Sequence, residues 1–372
     1  MRIVFVSNYI NHHQIPISDE LYRLADGSYT FIQTEPMEAE RVSMGWDTNA
    51  VNKPYVRLFY EDEENCRKLI MDADCVIFGG TEKEDLIIPR LEVNKFTIRY
   101  SERLYKEGRW KFITPRGLIK KYNDHTRFKN SNVFLLCSGA YVAGDFSLVG
   151  AYPKKKLKYG YFPEFVVYDD VHAKRRDNKR CEILWAARFI DWKHPEIVAD
   201  LAKKLYDNSL DAHITMIGSG ELFDDISNKC KGFSDIVTFE GPKTPSEVRN
   251  AMEKSDIFIS TSDRKEGWGA VVNEAMNSGC VTIAAKEIGA APYLIEDGVD
   301  GFMYKACNKN QLYKIVEALV YNSDMRYEIG SRAYEKIKTL WNPEVAAKRL
   351  YDFICDETHA LPAYQDGPLS IG

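Results

Sequence analysis

The sequence predicts an α/β protein of two domains, each a parallel sheet flanked by helices. Three observations carry this prediction. Short apolar runs alternate with longer helix-like stretches, the order that builds parallel sheets. The chain has 372 residues, beyond the size at which a single hydrophobic core stops growing. The alternation also breaks at a basic stretch without any period and restarts at Ile183.

In the first half, Ile3 to Val6 reads as a central strand whose end opens, through Ser7 and Asn8, into a loop of the kind that carries ligands. That loop, NYINHHQIP, holds His12 and His13. Two adjacent imidazoles cannot easily share one small ligand, so at most one serves a substrate, and a plain surface role is equally open. Tyr29 to Ile32, Cys75 to Phe78, Phe96 to Ile98 and Asn132 to Leu136 read as further strands, whereas 37–57 reads as irregular. Ser101, Glu102 and Arg103 follow the run Phe96 to Ile98. Glu102 is then either a site carboxylate or a helix-start residue favoured by the helix dipole. Tyr152 to Arg180 contains two basic clusters, KKKLK and AKRRDNKR, and reads as an interdomain connector. Its charges suit a solvated linker or a patch attracting anionic lipid head groups.

The second half has cleaner signals. Ile183 to Ala186 is a strand leading through Arg188 and Lys193 into a helix that reaches Leu205. Cations at such a strand-to-helix mouth clamp a diphosphate or form surface salt bridges. Ile214 to Ile217 precedes Gly218-Ser219-Gly220, a G-x-G that fits phosphate proximity or a tight turn. Ile236 to Phe239 enters the rigid turn Gly241-Pro242-Lys243-Thr244-Pro245, which suits the edge of a flat base or a plain turn equally. After the strand Ile257 to Ile259 comes EGWGAVVNE, with Glu266 in the loop and Glu274 in the second turn of the next helix. Gly267 and Gly269, on either side of Trp268, let backbone amides approach a ligand, and the helix N-terminus offers unpaired N–H groups to a phosphate. The pair suits a polyol; the alternative is a solvated loop before a half-buried helix. Val281 to Ala284 and Phe302 to Tyr304 are further strands. Three helical stretches follow, the last covering Pro343 to Cys355, and then an irregular, mobile tail.

Composition excludes several classes. A formal net charge of -5 argues against a dedicated nucleic-acid binder. The eight cysteines show neither C-x-x-C pairs nor zinc spacing, which fits a reducing cytoplasm and no structural metal. Asp72 and Asp74 share a D-x-D spacing but precede a strand instead of following one, so they are not read as a metal site. The N-terminal apolar run is too short for a signal peptide, and no stretch is long enough to span a membrane.

The ordered series of strands, Arg and Lys loop, G-x-G, Gly-Pro turn, E-x7-E and small-residue turn resembles the C-terminal domain of glycosyltransferase family 4 across residues 181–355. These are retaining nucleotide-sugar transferases. The resemblance implies the GT-B fold, with two Rossmann-like domains whose parallel sheets face a central cleft. It sets an acceptor-side domain at 1–160, a linker at 161–180, a nucleotide-sugar domain at 181–342, a closing helix at 343–355 packing back on the first domain, and a tail at 356–372. By position, Arg188 and Lys193 would neutralise the donor diphosphate, and Glu274 would bind the ribose hydroxyls. Glu266 would contact the transferred sugar, aided by backbone groups of Gly267, Trp268 and Gly269, and the turn after Phe239 would hold the base. The first domain departs from the family pattern, because NYINHHQ replaces a glycine pair after the first strand. His12, His13 or Glu102 would then serve the reacting sugar, and Tyr293 stands where many relatives have an acid.

The implied activity is transfer of a hexose-like sugar from a nucleoside diphosphate sugar to a glycan or lipid-linked acceptor, as in bacterial surface polysaccharide synthesis. The resemblance requires no metal and no cofactor beyond the donor. It implies a cytoplasmic protein, peripheral on the inner face of the plasma membrane if the basic stretches touch lipid. A nucleotide-sugar epimerase on the same fold and a non-catalytic nucleotide-sugar-binding scaffold are the alternatives. A scaffold need not keep Arg188, Lys193, Glu266 and Glu274 together.

Overall fold

Ile3–Ser7 (β1) is buried at every position, which a strand can be only where helices cover both faces of its sheet. The computed structural model describes residues 1–372 apart from 44, 45, 47, 82, 109–113, 176 and 177. The chain divides into two compact units, residues 1–164 with 340–372, and residues 165–339.

In the first unit β1 is followed by Ile15–Leu24 (α1), Tyr29–Gln33 (β2), Ala39–Ser43 (α2), Val56–Leu58 (β3), Glu63–Asp72 (α3) and Cys75–Gly79 (β4). Glu84–Glu92 (α4), Thr97–Ser101 (β5), Pro115–Asp124 (α5), Val133–Ser138 (β6), Val142–Leu148 (α6) and Lys156–Tyr159 (β7) complete its main body. The strands pair in parallel in the order β3-β2-β1-β4-β5-β6-β7.

The second unit holds Cys181–Ala186 (β8), Pro195–Asp207 (α7), Ala212–Ile217 (β9), Phe223–Lys229 (α8), Val237–Glu240 (β10) and Pro245–Lys254 (α9). Ile257–Ser260 (β11), Ala270–Asn277 (α10), Val281–Ala285 (β12), Ala291–Leu294 (α11), Phe302–Tyr304 (β13), Lys309–Tyr321 (α12) and Ser323–Thr339 (α13) follow. Its parallel order is β10-β9-β8-β11-β12-β13. The last helix, Pro343–Cys355 (α14), belongs to the first unit and packs on α1.

Local chemistry explains the elements that frame the site. Helix α7 starts at Pro195 and buries Ile197, Val198, Leu201, Ala202 and Leu205, a stripe at helical spacing. Helix α9 begins with a reciprocal cap: the Thr244 hydroxyl accepts from the Glu247 amide, and the Glu247 carboxylate accepts from the Thr244 amide. Under the second sheet, Leu184 and Ala186 of β8 join Phe258 of β11, Met252 of α9 and Ala275 of α10 in one apolar cluster.

Three expectations change. Val56–Leu58, which overlaps the end of the span read as irregular, is a strand beside β2; only Val56 of it is buried, so its apolar signal is slight. The KKKLK cluster, read as connector, supplies β7. Its Leu157 and Tyr159 point inward, while the Lys155 ammonium bonds the Ser131 carbonyl at 2.6 Å and Lys156 bonds those of Ala151 and Tyr152. The tail is tied down. The Lys158 amide donates to the Ser370 carbonyl, Leu369 and Gly372 donate to Lys158 and Lys156, and the exposed edge of β7 is thereby covered.

The second basic cluster is also committed internally. Arg175 is buried, and its guanidinium donates to the carbonyls of Met252, Glu253, Ser278 and Gly279. Lys174 pairs with Glu253 and Arg180 with Glu182, while Arg176 and Asp177 lie outside the described residues.

Candidate active site

The two sheets share one plan: the strand order reverses between β1 and β4 in the first and between β8 and β11 in the second. Loops leaving the C-terminal ends of such a strand pair diverge, and the crevice between them is where open α/β sheets take ligands. In the second unit these are the loops after Ala186 and after Ser260, and they carry Arg188, Lys193 and Glu266.

Lys193 and Glu266 meet there as an ion pair, their side chains only 14% and 16% exposed. Backbone and side-chain bonds lock the two loops together. Trp185 Nε1 donates to Thr261 Oγ1 at 2.9 Å, and the Thr261 hydroxyl donates to the Lys193 carbonyl. The Asp263 amide donates to the Trp192 carbonyl at 3.0 Å, and the Glu266 amide to the Asp263 carbonyl at 3.1 Å. The Lys193 ammonium lies 4.5 Å from the centroid of the Trp192 ring and the Arg188 guanidinium 5.9 Å from it, so both cations gather around one indole.

His194 adds a third tie. It occupies a left-handed backbone conformation at the head of α7, with Nδ1 2.9 Å from Glu196 and Nε2 3.6 Å from Asp263. The Glu196 hydrogen bond, helped by the Asp263 charge, raises its pKa against the effect of burial.

The glycines of the G-x-G serve this loop directly. A side chain on Gly218 would place its Cβ 2.0 Å from the Ala187 carbonyl oxygen, and one on Gly220 would come within 2.4 Å of that of Phe189. Their absence lets the loop after β9 lie against the loop bearing Arg188, with the Phe189 amide bonding the Ser219 carbonyl at 2.8 Å. Gly269, at φ +91°, turns the chain into α10 where a Cβ would meet Ile288 at 2.8 Å. Trp268 beside it is fully buried and donates to Asn273 Oδ1 at 2.9 Å, so its ring anchors the loop from within the core. Gly267 is also buried.

Glu274 stands apart from the ion pair, half-buried in the second turn of α10. Among the described residues no side chain hydrogen-bonds its carboxyl. Removal from water pushes its pKa up to about 7, opposed only by the charge of Arg249. The Gly241-Pro242-Lys243 turn is exposed, has no neighbour near Gly241, and pairs Lys243 with Glu240 at 3.4 Å.

The remaining candidates belong to the first unit. Glu102 follows β5, accepts from the Tyr161 hydroxyl at 2.7 Å and pairs with Lys106. His12 and His13 lie in the loop after β1 with ring centroids 3.9 Å apart and Trp46 edge-on to both. Burial pushes the His12 pKa down to about 4 and holds His13 well below its ordinary value, so both imidazoles are neutral at pH 7. Among the described residues, no three His, Cys, Asp or Glu side chains come together to hold a metal ion.

Sequence reasoning missed Thr261, Asp263 and His194, which hold the two loops, and Arg249, which faces Glu274. A signal for the first two exists in the polar run Ser260-Thr261-Ser262-Asp263 directly after a buried strand.

Residues 169–336 match the family model of glycosyl transferases group 1. Over 308 residues the chain is 21% identical to the GDP-mannose-dependent alpha-(1-6)-phosphatidylinositol monomannoside mannosyltransferase of Mycobacterium tuberculosis, covering 77% of this chain and 78% of that protein. A segment of 139 residues is 29% identical to the sulfoquinovosyl transferase SQD2 of Arabidopsis thaliana, covering 37% of this chain and 27% of the plant protein. The chain thus spans about a quarter of that plant relative. Among solved structures, Anabaena Alr3699/HepE in complex with UDP superposes with a TM-score of 0.73 at 14% identity, over 95% of this chain and 99% of that one. A glycosyltransferase from Rickettsia africae superposes with a TM-score of 0.71 at 15% identity, over 95% and 97%. The chain thus shares the GT-B fold of these structures, and its residues 169–336 match the glycosyl transferases group 1 domain.

Proposed function

We propose that this protein is a retaining glycosyltransferase of family 4 that moves a sugar from a nucleoside diphosphate sugar to an acceptor hydroxyl, in the assembly of a bacterial surface polysaccharide or lipid-linked glycan. The observation that carries this reading is Lys193 at the strand-order reversal of the second sheet, with Arg188 on the same loop and Glu266 as its partner. Two cations at one crevice stabilise the charge that builds on a departing diphosphate. The bond between the anomeric carbon and the phosphate oxygen breaks, a bond to the acceptor oxygen forms on the same face, and the acceptor proton passes to the leaving diphosphate.

In this scheme Glu266 gives up its bond to Lys193 as the donor arrives, accepts from hydroxyls of the transferred sugar, and frees the ammonium for phosphate. Glu274, whose carboxyl no side chain hydrogen-bonds among the described residues, accepts from the ribose hydroxyls. The backbone at Gly218 and Gly220 keeps Arg188 in place, and the exposed turn at Gly241, Pro242 and Lys243 takes the base. Glu102 and neutral His12 are the first unit's candidates to contact the reacting sugar. Neither a metal nor a further cofactor enters.

Two comparisons support a nucleotide-sugar donor. Anabaena Alr3699/HepE was solved with UDP-glucose, and the mycobacterial relative is named for GDP-mannose. The same relative is named for a phosphatidylinositol mannoside, which supports a lipid-linked acceptor at the cytoplasmic face of a membrane. Glu266→Ala is the test: sugar transfer and donor hydrolysis should fall by about a hundredfold or more while the circular dichroism spectrum stays unchanged. Transfer at the normal rate would overturn the assignment.

A further inference from the structure

Helix α5, Pro115–Asp124, turns the usual amphipathic arrangement outward. Pro115, Leu118, Ile119 and Tyr122 stand at i, i+3, i+4 and i+7, one stripe of an α-helix. Helix α7 buries its equivalent stripe; here Leu118 is 41% exposed, Ile119 61% and Tyr122 58%, and Pro115 is exposed as well. The face that meets the first unit is the opposite one. Asp124 is buried, and Gly117 and Lys121 on the same side are half-buried.

The charges around the stripe have one sign. At 100° per residue, Arg116 and Lys121 fall on its two flanks and Lys120 lies beyond Arg116. Asp124, the one acid of the helix, faces inward and pairs with Lys120 at 3.3 Å. Arg116 makes no ion pair among the described residues. This face stands out from a chain whose formal net charge is -5. By sequence alone, the preceding residues Arg109 to Ile113, outside the described residues, read RWKFI.

We propose that α5 docks this protein on the surface of an anionic phospholipid bilayer. Leu118, Ile119 and Tyr122 enter the boundary between head groups and acyl chains, and Arg116 and Lys121 meet the lipid phosphates. An apolar stripe with cations on both flanks matches a negatively charged, apolar-cored surface, whereas an apolar groove on a protein partner requires no such flanks. Among the described residues no helix is long and apolar enough to cross a membrane, so α5 lies along the surface. The basic clusters at 154–158 and 174–180 are poor competitors for this role, because Lys155, Lys156, Lys158, Lys174, Arg175 and Arg180 are bound to groups of the protein itself.

Flotation of the full chain with phosphatidylcholine vesicles, with and without phosphatidylglycerol, tests the proposal at low and high salt. The wild-type chain should float with the anionic vesicles and largely remain below with neutral ones. Leu118→Ser combined with Ile119→Ser should weaken anionic-vesicle binding about tenfold or more, and Arg116→Glu should weaken it and flatten the salt dependence. Both variants alter exposed positions, so thermal unfolding should be unchanged. Failure of the wild-type chain to float, or flotation untouched by the double variant, overturns the proposal. So does the double variant abolishing self-association of a chain that ignores vesicles, which would assign the stripe to a second copy.

Discussion

Lys193 and Glu266, 73 residues apart in sequence, are paired at the C-terminal ends of the adjacent strands β8 and β11, where the strand order of the second sheet reverses. Two largely enclosed opposite charges lose hydration when they meet, and a pair of this kind is seldom placed for stability alone. Here both belong to loops aimed at the ligand-binding end of the sheet.

Removing one partner should cost more than removing both. Lys193→Met removes the ammonium from the largely enclosed Glu266 carboxylate, and Glu266→Gln removes the negative charge from beside the Lys193 ammonium. A double-mutant cycle by urea unfolding should give a coupling of about 1–3 kcal/mol. In transfer assays the two single variants and the double variant should all lose kcat/KM by about a hundredfold or more, because each breaks the same unit.

Glu274 predicts a pH-dependent donor affinity. Its carboxyl titrates at about 7 in the empty protein, chiefly because burial disfavours the charge. Ribose hydroxyls donate to an ionised carboxylate, so affinity for UDP-glucose should climb as pH rises toward about 7 and level off above it, approaching tenfold per pH unit on the acid side. A nucleotide sugar has no terminal phosphate proton of its own in that range, and Glu274→Gln should flatten the curve. For folding, the raised pKa means the native state holds an extra proton between the ordinary carboxylate range and about 7. Stability from this group therefore falls as pH rises through that window, and Glu274→Gln should stabilise the empty protein above it by roughly 1 kcal/mol.

Gly218→Ala should damage the fold and the site together. The new Cβ would sit 2.0 Å from the Ala187 carbonyl oxygen, at a φ of +140° that side chains rarely adopt. The loop bearing Arg188 must then move. Unfolding should show a loss of about 2 kcal/mol or more, and nucleotide-sugar affinity should fall in the surviving folded protein.

Arg175→Ala should destabilise the second unit without touching donor chemistry. Its guanidinium serves four backbone carbonyls between Met252 and Gly279, and truncation takes this donor from all of them, although Met252 keeps its bond from the Ser255 amide. A loss of about 3 kcal/mol in urea unfolding is expected, with donor affinity of the folded fraction unchanged.

The second sheet was legible in the sequence because its strands are short, continuous apolar runs: the expected runs at 183–186, 214–217, 236–239, 257–259, 281–284 and 302–304 all fall on β8 to β13 within a residue or so. Edge strands gave less signal. In β7 the inward Leu157 and Tyr159 alternate with Lys156 and Lys158, so a basic cluster hid a strand that pairs with β6 on one side and meets residues 369–372 on the other. The positions of Arg188, Lys193 and Glu266 at strand ends were readable, since each follows an apolar run. That Lys193 binds Glu266 was not, because it depends on which strands lie side by side, and the Thr261 bridge that enforces it acts through backbone. Nor could sequence tell that Trp268 faces the core while its glycine neighbours shape the loop.

The nucleotide-sugar site that we propose at Arg188, Lys193, Glu266 and Glu274 is tested most directly by calorimetric titration with UDP-glucose and GDP-mannose. The wild-type chain should bind one of the two saturably, and Arg188→Ala and Lys193→Ala should each weaken that binding by about tenfold or more. Absence of binding to either donor, or binding that both substitutions leave unchanged, would contradict the account.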